Sequence, residues 1–211
     1  MQLYTYWRST SSYRVRIALA LKGIDVEPRF VHLVRNGGEH NSAAYHAVNP
    51  EGRVPTLVLD DGTVLTQSPA IIEYLEETHP APPLLPRDPV QRAQARSIAA
   101  LIGCDVHPLN NVGPLNYLRR TLDQPEPAVT AWIATWIEHG FRGVEARIGD
   151  SGWCLGPEPG LADVYLLPQL YSARRFGIAL DAYPRIRRVE AVAEAHPAFL
   201  KAHPSTQGDA E

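Results

Sequence analysis

The chain has 211 residues, which is enough for one large domain or two small ones. Hydrophobic residues make up 45% of it and charged residues 20%, so the sequence can build a core and is not that of a disordered chain. The formal net charge of -3 provides no global basic field, which disfavours nucleic acid as the main partner.

The N-terminal sequence lacks the long apolar segment of a secretory signal, and no apolar run of about 18 residues occurs. Two cysteines, Cys104 and Cys154, lie far apart and form no CxxC motif, so they are expected to be packed thiols. We therefore expect a cytoplasmic protein without a membrane partner.

The first 79 residues alternate between strand-like and helix-like patterns. In chain order we predict a strand, a helix, a second strand, a hairpin and a second helix, at residues 2–7, 13–23, 26–33, 54–65 and 67–79. Ser11 or Ser12 is expected to cap the first helix. Pro28 has no N–H and should lie near the start of its strand or at a sheet edge. Residues 34–48 are predicted to form a polar loop with some helical turn.

A proline-rich stretch at residues 80–89 is the best linker candidate in the chain. It divides the sequence into an N-terminal domain over residues 1–80, a linker over 81–87 and a helical domain over 88–211. The last nine residues, 203–211, are mostly polar and are expected to fray.

Two helices stand out in the C-terminal part. The first is marked by an apolar stripe with a period of about 3.6 residues and two tryptophan anchors. Its members are Val129, Trp132, Ile133, Trp136, Ile137, Phe141 and Val144. The second is predicted to begin near Leu161, with Gly160 as N-cap and Asp163 placing a negative charge in the first turn.

Several segments resemble the zeta class of glutathione transferases. Residues 8–25 (RSTSSYRVRIALALKGID) look like the class signature, and further similar segments lie at residues 49–57, 67–77, 103–111 and 172–176. Ser11 stands where many zeta proteins carry a cysteine, and Tyr13 replaces a tryptophan. The resemblance implies an α/β thioredoxin-like N-terminal domain of βαβ-ββα order, an all-α C-terminal domain, glutathione as cofactor and a homodimer.

Four hydroxyl residues in a row, Ser9, Thr10, Ser11 and Ser12, follow the first strand and open the first helix. A glutathione thiol with a pKa of about 8.5 is only about 3% thiolate at pH 7. One charge-assisted hydrogen bond, about 1.5–3 kcal/mol, together with the helix N-terminus, about 0.3–1 kcal/mol, is enough to lower that pKa by about two units. The family pattern makes Ser9 the first choice of donor and Ser11 the second, while helix capping alone is the alternative role.

Two dipeptides match elements with which the family binds glutathione. A cis peptide bond before Pro55 would present the N–H and C=O of Val54 to the cysteinyl part of glutathione, although trans is the commoner state of such bonds. Gln67 and Ser68 begin a helix whose free N–H groups and positive dipole end suit the γ-glutamyl carboxylate. Ser68 can cap that helix as well, and the two roles are compatible.

The resemblance places Arg8 and Arg175 at the second substrate, a small maleyl dicarboxylate, because an arginine fork can bind a carboxylate in bidentate fashion. With Ser9 and Ser11, these are the expected catalytic residues. Arg174 precedes Arg175 and should face another way on a helix. Surface solvation is the alternative role for any single arginine.

Three further residues are implied as ligand contacts. His40 lies where the family contacts the glycine end of glutathione, and His107 and Asn111 lie near where the second substrate or glutathione is reached. For His40 and His107, an equally expected role is that of a hydrogen-bonded structural residue or a surface residue. No HExxH motif occurs, and no metal site is expected.

The implied activity is isomerisation of maleylacetoacetate, a step of tyrosine and phenylalanine breakdown, by reversible addition of glutathione thiolate to the cis double bond. Val112 and Gly113 stand where maleylpyruvate isomerases carry arginines, which favours maleylacetoacetate over maleylpyruvate. Two alternatives remain: a transferase that conjugates or dehalogenates small 2-halo acids, and a binding module without activity. The hydroxyl run, with Val54-Pro55 and Gln67-Ser68, counts against the module.

Overall fold

A computed structural model describes residues 1–150 and 152–211 of the chain. It divides into two compact units, one formed by Met1–Pro83 with His196–Glu211 and the other by Leu84–Ala195. The predicted linker at 81–87 spans the point at which the first unit passes into the second. Leu84 and Leu85, at the start of the second unit, are buried.

The first unit contains a four-stranded mixed sheet. Its strands are β1 (Gln2–Thr5), β2 (Glu27–Phe30), β3 (Thr56–Val58) and β4 (Val64–Thr66), in the order β2-β1-β3-β4. β1 pairs in parallel with β2 and antiparallel with β3, which pairs antiparallel with β4. This arrangement confirms the predicted βαβ-ββα order. Pro28 lies second in β2, an edge strand, as its missing N–H requires.

Both predicted helices of the first unit are present, and a third, short helix lies within the predicted polar loop. They are α1 (Thr10–Leu21), α2 (Ala43–His46) and α3 (Ser68–Thr78). Two 3₁₀ turns, Arg35–Gly37 and Glu39–Asn41, supply the helical character predicted for the polar loop. α1 packs against α3, and its central residues, from Ser12 to Leu19, are all buried. This packing fixes α1 and α3 relative to each other.

The second unit is helical. Its α-helices are α4 (Pro89–Ala100), α5 (Val112–Asn116), α6 (Glu126–Glu145), α7 (Leu161–Arg175) and α8 (Pro184–Ala193). Two π-helical turns, Leu101–Val106 and Tyr117–Thr121, flank α5 and the 3₁₀ turn Pro108–Asn110. In the described residues, no helix is both long and apolar enough to cross a membrane.

The predicted stripe on α6 is confirmed only in its aliphatic and phenylalanine members. These face the core, whereas Trp132 and Trp136 are half-buried and contact each other edge to face at 5.6 Å. Trp132 Nε1 also donates to the Leu109 carbonyl at 2.8 Å, so the indole lies at the margin where its N–H finds a partner.

α7 begins as predicted. Gly160 is the N-cap, and Asp163 Oδ2 accepts the Gly160 N–H at 2.9 Å while Oδ1 accepts the Cys154 N–H at 2.9 Å. Burial raises the pKa of Asp163, and these hydrogen bonds oppose that rise. The carboxylate therefore ties the loop before α7 to its first turn.

The C-terminal segment differs from the prediction, because α9 (Pro197–Ala202) packs on α1 in the first unit. The expected fraying of residues 203–211 is wrong: a 3₁₀ turn, Pro204–Thr206, forms there, and Asp209 Oδ2 accepts the Trp7 N–H at 3.0 Å. Ala198, Phe199 and Ala202 are buried and supply the apolar anchor of this segment.

Candidate functional site

Ser9 joins the end of the first strand to the first helix and is the N-cap of α1. Its Oγ accepts the Ser12 N–H at 3.2 Å, and the residue is half-buried. A hydroxyl that accepts this bond keeps its own proton for donation. Ser9 can therefore cap the helix and donate to an anion at the same time, with the positive end of the helix dipole beside it.

The other hydroxyl residues are placed differently. The prediction that Ser11 or Ser12 caps the helix is wrong, because α1 begins at Thr10, three residues earlier than the apolar pattern indicates. Ser12 is completely buried, and its Oγ has no hydrogen-bond partner among the described residues. Thr10 is also buried and Ser11 is half-buried. This burial favours Ser9 and Ser11 over Thr10 and Ser12 as direct ligand contacts.

The loop before β3 carries the predicted Val54-Pro55 element. The peptide bond between these residues is cis, as the family resemblance implies. Neither the Val54 N–H nor its C=O is hydrogen-bonded within residues 1–150 and 152–211. A buried residue with an unused backbone donor and acceptor can pair with a peptide-like ligand.

A buried polar network, which the sequence patterns do not predict, holds this loop in place. Tyr45 Oη donates to the Arg53 carbonyl at 2.6 Å and lies 3.0 Å from Thr56 Oγ1. Asn49 Nδ2 donates to the same carbonyl at 2.8 Å and to Thr56 Oγ1 at 2.9 Å. These bonds hold the backbone on both sides of Val54.

The start of α3 presents free N–H groups. Gln67 is the N-cap with φ of 67°, and its side chain makes no capping bond. Its side chain and the Thr66 hydroxyl instead donate to the Glu51 carboxylate. Intrahelical bonding begins at Ile71, so the Ser68 N–H remains available to an anion.

His40 is half-buried, and its enclosed Nδ1 has no hydrogen-bond partner in the described part of the chain. Burial, followed by the charge of His46, lowers the pKa of His40 below its ordinary value. The ring is therefore neutral at pH 7, with an unused nitrogen for a ligand hydrogen bond.

Arg8 stands one residue before the cap. Its guanidinium lies 5.4 Å from the Trp7 ring centroid and 6.0 Å from that of Tyr6. A cation–π contact of this kind does not use the guanidinium N–H groups as hydrogen-bond donors, so they can donate to a carboxylate.

The second unit carries the remaining predicted residues. Arg174 forms a two-bond pair with Glu190, at 3.1 and 2.6 Å, whereas Arg175 lies 4.6 Å from the Phe176 ring. The two neighbours thus face different surroundings, as predicted. Asn111 caps α5 by accepting the Val112 N–H at 2.8 Å, and half-buried His107 follows the first π-helical turn.

The two cysteines differ from each other. Cys154 is buried, and burial, followed by the charge of Asp163, raises the pKa of its thiol well above the ordinary value. Cys104 is exposed, contrary to the expectation of a packed thiol, because the π-helical turn directs Ile102 and Val106 inward instead. Within the described ranges, no group of three or more His, Cys, Asp or Glu side chains could hold a metal ion.

Comparison with known proteins identifies the family. The model of the glutathione S-transferase N-terminal domain matches residues 8–78, and that of the C-terminal domain matches residues 126–191. A Pseudomonas aeruginosa protein named maleylacetoacetate isomerase is 61% identical over 209 residues, covering 99% of this chain and 98% of the relative. The holo structure of a maleylpyruvate isomerase of the zeta class is 46% identical, with a TM-score of 0.96 and full coverage of both chains.

The chain belongs to the zeta class of glutathione S-transferases. A maleylacetoacetate isomerase from Anaeromyxobacter dehalogenans 2CP-1, crystallised with glutathione in its active site, is 42% identical with a TM-score of 0.89 and covers 100% of this chain and 97% of that one. In the present chain, the groups of the first unit fit glutathione. Val54 offers a backbone donor and acceptor, α3 offers free N–H groups, and Ser9 offers a hydroxyl.

Proposed function

We propose that the protein is a glutathione-dependent isomerase that converts maleylacetoacetate to fumarylacetoacetate. The observation that carries the proposal is the Ser9 hydroxyl, which caps α1 and keeps a proton to donate. The relatives of this chain include proteins named maleylacetoacetate isomerase and maleylpyruvate isomerase, which also supports the proposal.

Bound glutathione supplies a thiolate that adds reversibly to the cis double bond, so that rotation about the resulting single bond and departure of the thiolate give the trans product. The Ser9 hydroxyl donates a hydrogen bond to the sulfur and so stabilises the thiolate. The N-terminus of α1 adds a favourable dipole at the same place. Ser11 is the second choice for this donor, in place of Ser9.

Residues beyond the hydroxyl run contact the other parts of glutathione in the proposed complex. Val54, preceding Pro55, pairs with its cysteinyl backbone, and the N–H groups at Gln67 and Ser68 hold its γ-glutamyl carboxylate. His40 contacts the glycine end. In the second unit, His107 and Asn111 contact glutathione or the second substrate.

Arg8 and Arg175 bind the substrate carboxylates in this account. They also stabilise the negative charge that develops on the conjugated carbonyl oxygen while the carbon–carbon bond can rotate. Arg174 makes a bidentate ion pair with Glu190. Of these two neighbouring arginines, Arg175 is therefore the one assigned to the substrate.

Maleylacetoacetate is the preferred substrate because Val112 and Gly113 bring no positive charge after the Asn110-Asn111 pair. Val112 is 47% exposed and thus presents an apolar surface at this position. Maleylpyruvate is the second candidate, supported by the name of the relative that is 48% identical. The proposal further includes a cytoplasmic homodimer acting in tyrosine and phenylalanine breakdown.

The test compares initial rates on maleylacetoacetate and maleylpyruvate, each with and without glutathione. We expect no turnover without glutathione and a higher kcat/KM for maleylacetoacetate. Arg175→Ala should raise KM for either substrate about 10- to 100-fold, the value of one charge-assisted contact. Arg174→Ala is the matched control and should leave KM unchanged. Glutathione conjugation of 2-halo acids without any isomerisation would replace this function with the transferase alternative.

A further inference from the structure

A carboxylate lies beside the proposed anion site at the start of α3. Glu51 Oε1 accepts the Thr66 Oγ1 proton at 3.0 Å, and its Oε2 accepts from Gln67 Nε2. The Glu51 N–H donates to Asn49 Oδ1 at 3.0 Å, which fixes the backbone of the same residue. The acidic group is therefore held at the residues that precede and cap the helix.

A fixed negative charge opposes anion binding at a helix N-terminus, because it cancels part of the positive dipole that attracts the anion. A ligand group that carries both charges removes this conflict. The γ-glutamyl end of glutathione is such a group, since its α-carbon bears a carboxylate and an ammonium. The carboxylate suits the N–H groups of α3, and the ammonium suits a second, negative partner.

We propose that Glu51 supplies the counter-charge for the γ-glutamyl ammonium, and so makes this end of the site specific for a free α-amino acid group. This inference rests on the proposed binding of glutathione. Two of the lone-pair positions of the Glu51 carboxylate accept from Thr66 and Gln67, and the others remain for N–H donors of a ligand.

A purely positioning role is the competing account. Gln67 has a left-handed backbone with φ of 67°, an uncommon state for a residue with a side chain, and its bond to Glu51 could serve only to hold it there. A positioning residue affects every ligand of the site equally. A counter-charge affects only a ligand that carries the ammonium.

The experiment measures dissociation constants for glutathione and for its analogue without the α-amino group, in wild type, Glu51→Gln and Glu77→Gln. Glu51→Gln removes the charge and keeps an acceptor oxygen. Glu77 is exposed near the other end of α3 and makes the matched control. Thermal melting of each variant verifies that the fold is retained.

In wild type, glutathione should bind about fivefold to tenfold more tightly than the analogue. Glu51→Gln should remove most of that preference by weakening glutathione binding alone, and Glu77→Gln should retain it. Equal weakening of both ligands, or no weakening, would overturn the counter-charge role while leaving glutathione binding intact. Wild-type protein that binds neither ligand would overturn the proposed function together with this inference.

Discussion

Ser9 Oγ accepts the backbone N–H of Ser12 at 3.2 Å. This bond makes Ser9 the cap of α1 and also aligns its hydroxyl at the N-terminus of the helix. Because hydrogen bonds in a chain polarise one another, the accepted bond makes the Ser9 hydroxyl a better donor. The stability of the helix and the activation of the thiol thus depend on the same oxygen.

Ser9→Ala should raise the pKa of the bound glutathione thiol and lower the rate at pH 7 about 10- to 100-fold, the loss of one charge-assisted hydrogen bond. The thiolate absorbance of the complex, followed against pH, gives that pKa directly. The variant should also lose about 1 kcal/mol of unfolding free energy with the cap.

Ser9→Asp separates the two effects, since aspartate caps helices well but repels a thiolate. It should restore the stability of the fold without restoring the rate. Ser11→Ala should leave the thiol pKa close to the wild-type value. A Ser9→Ala enzyme with an unchanged thiol pKa would transfer the donor role to another group.

Asn49 is 1% exposed and connects both sides of the Val54 loop through its bonds to the Arg53 carbonyl and Thr56 Oγ1. Asn49→Ala should cost about 1–3 kcal/mol of stability through buried groups left unpaired. It should also raise the dissociation constant of glutathione while the thiol pKa of the complex stays the same. Asn41→Ala, an exposed asparagine with one bond to the Gly37 carbonyl, is the control. Unchanged glutathione affinity in Asn49→Ala would show that the network is structural only.

Lys22 is buried with its ammonium 2.7 Å from the Glu76 carboxylate and bonded to the His79 carbonyl at 2.6 Å. Lys22→Met should lower the free energy of unfolding by about 3–5 kcal/mol, because it leaves a charged partner in a buried position. Lys201→Met, which breaks a solvent-exposed pair with Asp25, should cost much less stability than Lys22→Met. Denaturant unfolding measures both variants. Equal losses of stability would show that the burial of the Lys22–Glu76 pair does not make it more important than the exposed Lys201–Asp25 pair.

Gly140 allows α6 to approach the first π-helical turn. A Cβ at this position would lie 2.2 Å from Val106 Cγ2. Gly140→Ala should therefore destabilise the protein by about 1–3 kcal/mol despite the better helix propensity of alanine. Adding Val106→Ala should recover part of the loss. Gly113→Ala, where no other atom lies within 4 Å, should be nearly neutral. Denaturant midpoints should fall most in Gly140→Ala, less in the double variant and least in Gly113→Ala. Any other order would contradict a close contact between position 140 and Val106.

Much of the fold could be predicted because its signals are local. Hydrophobic periodicity predicted the strands and the long helices. The absence of a backbone N–H in proline predicted that Pro28 lies near a strand start or at a sheet edge. The family motifs added the cis bond before Pro55, which residue statistics alone disfavour.

The remaining features depend on partners distant in sequence. Four consecutive hydroxyls gave several equivalent caps, and only the folded backbone shows that Ser9 is the one used. The hydrogen-bond partners of Tyr45 Oη lie 8 and 11 residues away in sequence, so no spacing rule predicts these contacts. The polar composition of residues 203–211 gives no indication of the hydrogen bond that the Trp7 N–H donates to Asp209. This bond joins two residues near opposite ends of the chain.

In the proposed reaction, glutathione is a cofactor that is regenerated in each turnover. The most direct test supplies glutathione at a small fraction of the maleylacetoacetate concentration and follows both compounds to completion by NMR or mass spectrometry. We expect full conversion to fumarylacetoacetate with all glutathione recovered as free thiol. Conversion that stops when the glutathione is used up, with the sulfur retained in the product, would show that glutathione is consumed as a substrate.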